Sequence, residues 1–537
     1  MAPGTPAPPT DFGAVRQELG LPPAADSAAF PPDVLAEAAE AAGRTDFGDR
    51  EDATDLPLVT IDPPGSMDLD QALLVLRRGS GFTLHYAIAD VPAFVRPDGP
   101  LDLETRRRGQ TLYLPDASVP LHPPVLSAGA ASLLPGQVRP AALWTIELEA
   151  DGEPTGMRVR RAMVRSVARL DYQGVQDELD AGRAHPSVEP LPDLGRLRRA
   201  AAAARGAVEL ELPEQEVAPD GTGWLIVLRR RTEVDAWNAE MSLLTGMCAA
   251  RLMLDAGVGV LRTLPEPDAA AVAHLRQAAR ALGIDWPDGA TPAAVLSTLD
   301  PADPAALAVF TGATRLLRGA GYVAFDGAPP ERAWHTGIGA PYAHVTAPLR
   351  RLVDRYGAEV CLAVSAGAEV PDWTRAALPT LPELMAGSDR LAAQVDRACL
   401  DQVESWLLHP RVGERFEAIV LRGTRDRDAA TAPADAGTAR PADGSSTARP
   451  PDGAPAEDRP AESRAAESKP AESKPAEGRA ATQAQAEVFI TEPPTLARCV
   501  GDGLPDGERV PVTLVQADPV ARKVLFAADG AVPAVKE

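Results

Sequence analysis

The spacing of hydrophobic residues changes along the chain and predicts different secondary structure in different regions. Near the N-terminus, Leu35, Ala38, Ala39 and Ala42 recur at helical spacing after Pro31–Pro32. Because proline is favoured in the first turn of a helix, this pattern predicts a short helix there. We expect residues 1–55 to form a helical lead-in.

The central part of the chain changes from a strand pattern to a helix pattern. From Leu56 to about Val175, short apolar runs alternate with Gly/Pro turns, which is typical of strands. Between Thr232 and Leu400 the spacing becomes mostly helical, with long helices predicted over Asp235–Asp255 and Ala269–Leu282. The sequence therefore predicts a mixed α/β region over residues 56–408.

Alternating apolar runs return near the C-terminus, on both sides of a stretch of low complexity. Phe416–Arg422, Glu508–Ala517 and Arg522–Ala527 are predicted strands. Residues 428–486 carry no aromatic residue and no apolar residue larger than alanine apart from proline, and they repeat Pro-Ala-Glu-Ser imperfectly. Such a stretch buries too little apolar surface to offset its ordering entropy, so we predict a disordered insertion. Residues 411–427 and 487–530 are predicted to form one small β-barrel split by that insertion.

Composition narrows the functional classes. The formal net charge of −23 argues against general adhesion to nucleic acids or anionic membranes, although it does not exclude a local basic channel. Basic residues cluster in Arg106–Arg108, Arg158–Arg169 and Arg229–Arg231, and each run fits a phosphate channel or a solvated face equally well.

Further features of the sequence favour the cytoplasm. The four cysteines are widely spaced and form no Cys-x-x-Cys pair, which favours reduced core residues over a disulfide or zinc framework. The first residues do not resemble a signal peptide, and no apolar stretch approaches the roughly 18 residues that span a bilayer. We expect a cytoplasmic protein that does not contact membranes.

Three aspartates around a Pro-Pro-Gly-Ser turn are the first candidate site. In a strand, the spacing between Asp68 and Asp70 would place both carboxylates on one face and Leu69 on the other, while Asp62 ends the preceding apolar run. Carboxylates held this close repel one another unless a cation shares them, and oxygen ligands suit Mg²⁺ or Mn²⁺. A solvated acidic turn is the alternative; a Ca²⁺-binding loop fits less well, because no glycine follows at its sixth position.

Read with the motifs that follow it, the acidic turn resembles that of the ribonuclease II (RNB) family of 3′→5′ exoribonucleases. The resemblance extends in order over about 300 residues. Its further elements are His85–Val91, Leu101–Gly109, Thr111–Pro115, Val119–Leu121, Leu126–Ser127, Ser132–Leu133, Arg169–Tyr172, Arg205–Leu210 and Tyr342–Arg351.

The resemblance implies a fold and an activity. The fold is an α/β (α+β) catalytic domain with a helical lead-in and a C-terminal OB-fold-like β-barrel. The activity is Mg²⁺-dependent removal of nucleoside 5′-monophosphates from the 3′ end of single-stranded RNA. No organic cofactor is expected, and the chain is expected to be monomeric.

It also implies roles for individual residues. Asp62, Asp68 and Asp70 match the first three acidic positions of the family motif, with Gln71 completing the metal site and Asp70 the carboxylate on which catalysis most depends. Asp68 and Arg350 join Asp70 as catalytic residues, Arg350 by contacting the scissile phosphate. The substrate-binding residues implied are Tyr113, Tyr172, Glu240 and Arg351.

The sequence departs from the family at several positions. Gln71 stands where the family has a fourth carboxylate, and Leu210 stands where well-known members have a phenylalanine that clamps the last base. Only about 55 residues precede the acidic motif, too few for tandem cold-shock domains. These departures favour a second reading, a catalytically weakened RNB-fold protein that binds RNA or a partner; the three aspartates with Arg350 favour the enzyme.

Overall fold

A computed structural model describes residues 11–26, 28–208, 210, 214–221, 223–229, 231–300, 303–423 and 485–528. The predicted disordered insertion lies outside these residues, except for Gln485 and Ala486, which begin a strand. Within the described part, no helix is long and apolar enough to cross a membrane.

Two short helices lead into the fold, α1 (Gly13–Glu18) and α2 (Pro32–Ala42). Helix α2 confirms the predicted helix, but the predicted face was wrong. Val34, Ala38 and Ala41 are buried, whereas Leu35 is 43% exposed. The buried face is rotated because α2 packs Val34 and Ala38 against the cluster that includes Leu101.

The first barrel follows directly and begins before the predicted limit at residue 56. Its strands are β1 (Glu51–Ile61), β2 (Gln71–Arg78), β3 (Gly81–Ala89), β4 (Val138–Leu148) and β5 (Pro154–Leu170). They pair antiparallel in chain order, and β1 closes the barrel by pairing parallel to β5. Because side chains alternate along a strand, Leu73 and Val75 join one core cluster while Ala72 and Leu74 join another.

The rest of the chain before residue 409 is mostly helical, which confirms the helical pattern predicted between Thr232 and Leu400. Its elements are α3 (Pro100–Arg108), α4 (Tyr172–Asp180), α5 (Leu191–Ala204), β6 (Glu214–Asp220), β7 (Gly223–Arg229), α6 (Glu233–Ala256), β8 (Val258–Thr263), α7 (Ala269–Ala281), α8 (Pro292–Leu296), α9 (Pro304–Ala313), β9 (Gly321–Asp326), β10 (Trp334–His335), β11 (Ala340–Pro341), α10 (Leu352–Ser365), α11 (Asp372–Ala377) and α12 (Leu381–Leu408). Helices α6 and α7 confirm the two long helices predicted from the sequence.

Helix α6 has a well-defined start and end. The Thr232 hydroxyl accepts from the Asp235 backbone N–H, and the Asp235 carboxylate accepts from the Thr232 backbone N–H, which is a capping box. The helix ends at Gly257 with a φ of 70°, a conformation that favours glycine. The capping box fixes Asp235 at the entrance to the helix.

The C-terminal strands form a second closed barrel, which confirms the predicted OB-fold-like architecture. They are β12 (Arg415–Arg422), β13 (Gln485–Thr491), β14 (Pro494–Val500), β15 (Arg509–Asp518) and β16 (Lys523–Ala528), in the order β12-β13-β14-β16-β15. Phe416, Val488, Val512 and Phe526 lie in its core. The predicted residue limits of the domains stay predictions.

Glu404 of α12 joins this barrel to the rest of the protein. Its Oε1 accepts from Gln215 Nε2 of β6 and from the Leu496 N–H of β14, each at 3.2 Å. Glu404 is only 2% exposed, and burial raises the pKa of its carboxyl to about 7. The four cysteines are buried and unpaired, as expected from their spacing.

Candidate active site

The acidic turn lies at a cavity of about 340 Å³ formed by segments far apart in the sequence. The lining residues are Asp62, Pro63, Ser66, Asp68, Asp70, Gln71, Tyr113, Tyr172, Arg229, Arg231, Asp235, Ala239 and Arg350. The cavity therefore unites the predicted metal-binding residues with Arg350 and both tyrosines. Larger cavities, such as one of about 700 Å³ beside α7, α9 and the C-terminal barrel, contain none of these residues.

The three aspartates lie in the connection from β1 to β2. This connection is irregular, so the strand considered for Asp68 and Asp70 does not form. It is held instead by Ser132, whose hydroxyl accepts from the Leu69 N–H at 3.0 Å and donates to the Met67 carbonyl at 2.6 Å. Leu69 is fully buried while Asp68 and Asp70 both face the cavity, so the alternation of side chains is as predicted.

Asp70 is the most enclosed of the three carboxylates. Its Oδ1 accepts from the Leu349 N–H at 2.7 Å, and its Oδ2 lies 3.4 Å from Arg350 Nε. Burial raises the pKa of Asp70 well above its usual value, and the Arg350 charge opposes that rise. Asp70 therefore depends on nearby positive charge to stay ionised.

Asp62 and Asp68 have more open environments. Burial raises the pKa of Asp62 to about 6, and its Oδ2 is buried without a hydrogen-bond partner among the described residues. Asp68 accepts a hydrogen bond from the Tyr113 hydroxyl at 3.1 Å. A buried carboxylate oxygen without a donor favours a proton or a cation beside it.

The donor set fits an oxygen-ligated divalent cation, although the side chains do not already form a coordination shell. Three carboxylates and an amide line one cavity, and the orphaned Oδ2 of Asp62 would gain a partner from a bound cation. In the described part of the chain, no three His, Cys, Asp or Glu side chains are grouped closely enough to hold a metal ion. Asp68 and Asp70 are instead engaged by Tyr113, Leu349 and Arg350.

Gln71 differs from a carboxylate in how it uses its side chain. Its Nε2 donates to the Thr346 carbonyl at 2.5 Å. The amide oxygen is the atom left for a cation, so the ligand role that the sequence indicates for Gln71 stays a prediction.

Arg350 and Arg351 have different environments. The Arg350 side chain is half-exposed at the cavity, and within the described residues its two terminal nitrogens donate no hydrogen bond. Arg351 donates to both oxygens of Asp354, at 2.5 and 2.8 Å, and Asp354 Oδ1 also accepts from the Ala347 N–H. Arg350 is therefore free to bind an anion, whereas Arg351 fixes the conformation of the segment, and its predicted role in substrate binding stays a prediction.

The two predicted tyrosines lie at the cavity with basic residues that the sequence indicated only as a run. Tyr113 is 51% exposed, and the Tyr172 hydroxyl accepts from Asn238 Nδ2 at 3.4 Å. The Arg229 guanidinium lies 5.9 Å from the centre of the Tyr172 ring and donates to Asp235 at 2.9 Å. Arg229 and Arg231 thus supply positive charge, although the sequence could not distinguish this run from a solvated face.

Glu240 is not among the residues that line the cavity, and its predicted role in substrate binding stays a prediction. It is 7% exposed and lies near Arg205; burial lowers the pKa of the Arg205 guanidinium, and the Glu240 charge opposes that fall. Asp235 and Ala239 of α6 line the cavity instead. Successive helical residues point about 100° apart, so a shift of one position turns a side chain away from the site.

Leu210 and the basic run Arg106–Arg108 lie away from the cavity. Leu210 packs beside the cluster that contains Leu275 and Trp286, so it does not replace the expected phenylalanine at the cavity. Arg106, Arg107 and Arg108 pair with acidic residues of their own helix, which indicates that this run stabilises α3.

Comparison with known proteins identifies relatives of both halves of this structure. The RNB domain family model matches residues 50–361, more than half of the chain, and the model for the RNase II-type exonuclease C-terminal S1 domain matches residues 478–529. Ribonuclease R of Escherichia coli (strain K12) is 33% identical over 324 residues, which is 57% of this chain and 39% of that protein. The chain thus spans well under half of that curated relative.

Solved structures share the fold at low sequence identity. Mycoplasma genitalium RNase R in complex with ribose methylated single-stranded RNA aligns with a TM-score of 0.74 and 17% identity, over 96% of this chain and 77% of that chain. Yeast Ssd1, described as a pseudonuclease, aligns with a TM-score of 0.60 and 17% identity, over 70% of this chain and 48% of that chain.

Proposed function

This chain belongs to the RNB family, and from that premise we propose that it is a divalent-metal-dependent exoribonuclease. It removes nucleoside 5′-monophosphates from the 3′ end of single-stranded RNA, with Mg²⁺ as the cation and Mn²⁺ as a substitute. We place it in the cytoplasm, as a monomer.

The observation that carries this proposal is the convergence of three kinds of group on one cavity. Asp62, Asp68 and Asp70 supply carboxylates, Arg350 supplies a guanidinium whose terminal nitrogens donate no hydrogen bond to the described residues, and Tyr113 and Tyr172 supply aromatic rings. A phosphodiester substrate needs a cation site, an anion contact and a platform for bases. A cluster of residues that only stabilised the fold would not need the cation site, the anion contact and the aromatic platform together.

Each group has a defined task in the proposed reaction. Asp62, Asp68 and Asp70 would hold the cation, which when bound polarises the scissile phosphate and makes its water more acidic. Arg350 binds oxygens of that phosphate with its free fork and stabilises the charge that develops on them. Tyr113 and Tyr172 stack on the terminal bases and tolerate any sequence, since every base presents a flat face.

The size of the cavity supports a single strand as substrate. A volume of about 340 Å³ lies near the lower end of small-ligand pockets. A space of this size suits the terminal nucleotide of one strand better than a base pair, and Arg229 and Arg231 line it beside Tyr172. We therefore expect duplex RNA without a 3′ overhang to be resistant.

The direct test is degradation of 5′-labelled single-stranded RNA with added Mg²⁺, with EDTA, and with a blunt duplex of the same sequence. The proposal predicts progressive shortening from the 3′ end only for the single strand with Mg²⁺. Intact RNA under Mg²⁺ and Mn²⁺ alike would contradict it.

The second candidate is an RNB-fold protein that binds RNA without cleaving it. Gln71 in place of a carboxylate favours it, and yeast Ssd1, described as a pseudonuclease, shares the fold at 17% identity. It predicts RNA binding that EDTA does not change and no release of mononucleotides, which the same labelled RNA measures in a binding format.

A further inference from the structure

The backbone just before Arg350 is held by side chains from elsewhere in the fold. Four contacts fix the loop of residues 346–349, which precedes the guanidinium at the cavity. They are Gln71 Nε2 to the Thr346 carbonyl at 2.5 Å, Asp354 Oδ1 to the Ala347 N–H at 2.7 Å, Asp70 Oδ1 to the Leu349 N–H at 2.7 Å, and His122 Nδ1 to the Leu349 carbonyl at 2.9 Å.

The loop lies across the point where β2 begins. Asp70 and Gln71 are consecutive, and consecutive side chains of an extended chain point in different directions. Both nevertheless reach this loop, at Leu349 and Thr346 respectively. The backbone of Gln71 is itself fixed by pairing with Ile88 of β3, so the first barrel anchors the loop directly.

The direction of the Arg350 side chain depends on this loop more than on its own contacts. Its guanidinium makes one ion pair with the described residues, at the long distance of 3.4 Å, and is half-exposed. Its backbone is further fixed where the Thr111 N–H donates to the Arg350 carbonyl at 2.9 Å. A shift of the loop would therefore move the guanidinium away from a bound phosphate.

The chemistry of the Thr346 contact selects an amide over a carboxylate. A backbone carbonyl only accepts hydrogen bonds, so its partner on residue 71 must be a donor. Glutamine supplies an N–H there, whereas ionised glutamate or aspartate would direct a negative oxygen at the carbonyl. Thr346 is 4% exposed, so no bulk water would substitute for the lost donor.

We propose that Gln71 is a positioning residue for Arg350, and that its essential atom is the amide nitrogen that holds the Thr346 carbonyl. The inference rests on the proposed function, because positioning has its effect through a phosphate bound at Arg350. On this account Gln71 is not a weakened version of a fourth carboxylate. Its side chain lacks the charge of a metal-binding carboxylate, but it supplies a hydrogen-bond donor that orients Arg350.

Restoring a carboxylate at position 71 is expected to slow cleavage rather than to speed it. Gln71→Glu keeps the size of the side chain, removes the donor and adds a negative charge, and Gln71→Asp introduces the residue that the family motif would have. Both are expected to lower kcat about 10- to 100-fold in steady-state cleavage of labelled RNA. KM is expected to stay within about two-fold, because the stacking tyrosines are unchanged.

A double-mutant comparison separates positioning from general damage. If Gln71 has its effect through Arg350, adding Gln71→Glu to Arg350→Ala should change the rate less than about two-fold, because the shared interaction is already lost. The matched control is Gln137→Glu, the same chemical change at an exposed loop position, which should leave the rate unchanged. The proposal would be overturned if Gln71→Glu lowered the cleavage rate by the same factor in the wild-type and Arg350→Ala proteins. It would also be overturned if the Gln71→Glu protein cleaved RNA as fast as wild type.

Two measurements do not depend on activity. Hydrogen exchange of the peptide covering residues 343–352 should show the Leu349 amide exchanging at least about ten-fold faster in Gln71→Glu and in Gln71→Met than in wild type. Mn²⁺ affinity of the free protein should be unchanged or tighter in Gln71→Glu. An unchanged exchange rate of the Leu349 amide in both variants would refute the proposal that Gln71 holds the loop.

These measurements also keep the two proposals distinguishable. If the wild-type protein cleaves no RNA, the proposed function fails, and the exchange comparison still decides whether Gln71 holds the loop. If wild type cleaves RNA and Gln71→Glu cleaves it faster, the positioning role fails and the exoribonuclease assignment stands.

Discussion

Replacing Arg350 by lysine tests how much the guanidinium fork contributes to the proposed reaction. Lysine keeps the charge but presents a single flexible ammonium where arginine presents a planar fork. Because the terminal nitrogens of Arg350 donate no hydrogen bond to the described residues, both are available to phosphate oxygens. The substitution therefore removes a two-point contact and leaves a one-point contact.

The magnitude follows from that loss. A hydrogen bond to a charged group contributes roughly 1.5–3 kcal/mol. Losing one such bond in the transition state, at about 1.4 kcal/mol per ten-fold change, lowers kcat/KM of Arg350→Lys roughly 10- to 150-fold. Arg350→Ala loses both bonds and the charge, and we expect a loss on the order of 10³-fold or more.

The assay is single-turnover cleavage of 5′-labelled single-stranded RNA with enzyme in excess. Arg397→Lys is a matched control, since Arg397 is an exposed arginine of α12 paired with Asp401 and does not line the cavity. The control should cleave at the wild-type rate. An Arg350→Lys protein within three-fold of wild type would refute a phosphate-binding fork at this position.

Substitutions at three further residues test other parts of the account. Glu404→Gln keeps the acceptor oxygen for Gln215 and Leu496 but cannot ionise. Burial raises the pKa of Glu404 to about 7, so the wild-type protein should lose stability as pH rises from about 5 to 8. In urea unfolding at pH 8, the variant should be about 2–3 kcal/mol more stable than wild type. An equal dependence of stability on pH in both proteins would contradict this. Asp62→Asn should abolish cleavage and raise the melting temperature of the protein in EDTA at pH 8. The melting temperature should rise because the substitution replaces a buried carboxylate whose pKa is raised to about 6. A lower melting temperature would show that the carboxylate is stabilising. Tyr113→Phe should change KM for RNA only a few-fold, whereas Tyr113→Ala should raise it about ten-fold or more through lost stacking; equal effects would place the contribution in the hydroxyl.

Much of the fold could be predicted from local patterns. The sequence predicted helix α6 and the barrel strands β12, β15 and β16, and the capping box at Thr232 adds a start signal for the helix. The buried face of α2 could not be predicted, because Leu35 is as apolar as its neighbours and only the packing against Leu101 decides which face is buried.

Residues of the candidate site that belong to a sequence motif were predicted. Residues that only the tertiary fold brings to the cavity were missed. Asp62, Asp68, Asp70 and Arg350 were found from motifs, and the cavity brings them together. Asp235 was missed because nothing in the local sequence distinguishes a capping residue from one that also faces a site. The bond from Gln71 to Thr346 joins residues 275 positions apart, a distance over which no local pattern operates.

The most direct test of the central claim is the fate of 5′-labelled single-stranded RNA under Mg²⁺ with wild type and with Asp70→Asn. Asp70 is the buried carboxylate that contacts both Leu349 and Arg350, and the substitution removes its charge with little change in size. The account predicts shortening of the RNA from its 3′ end by wild type and none by Asp70→Asn, with both proteins equally folded. Cleavage by Asp70→Asn at the wild-type rate would contradict it.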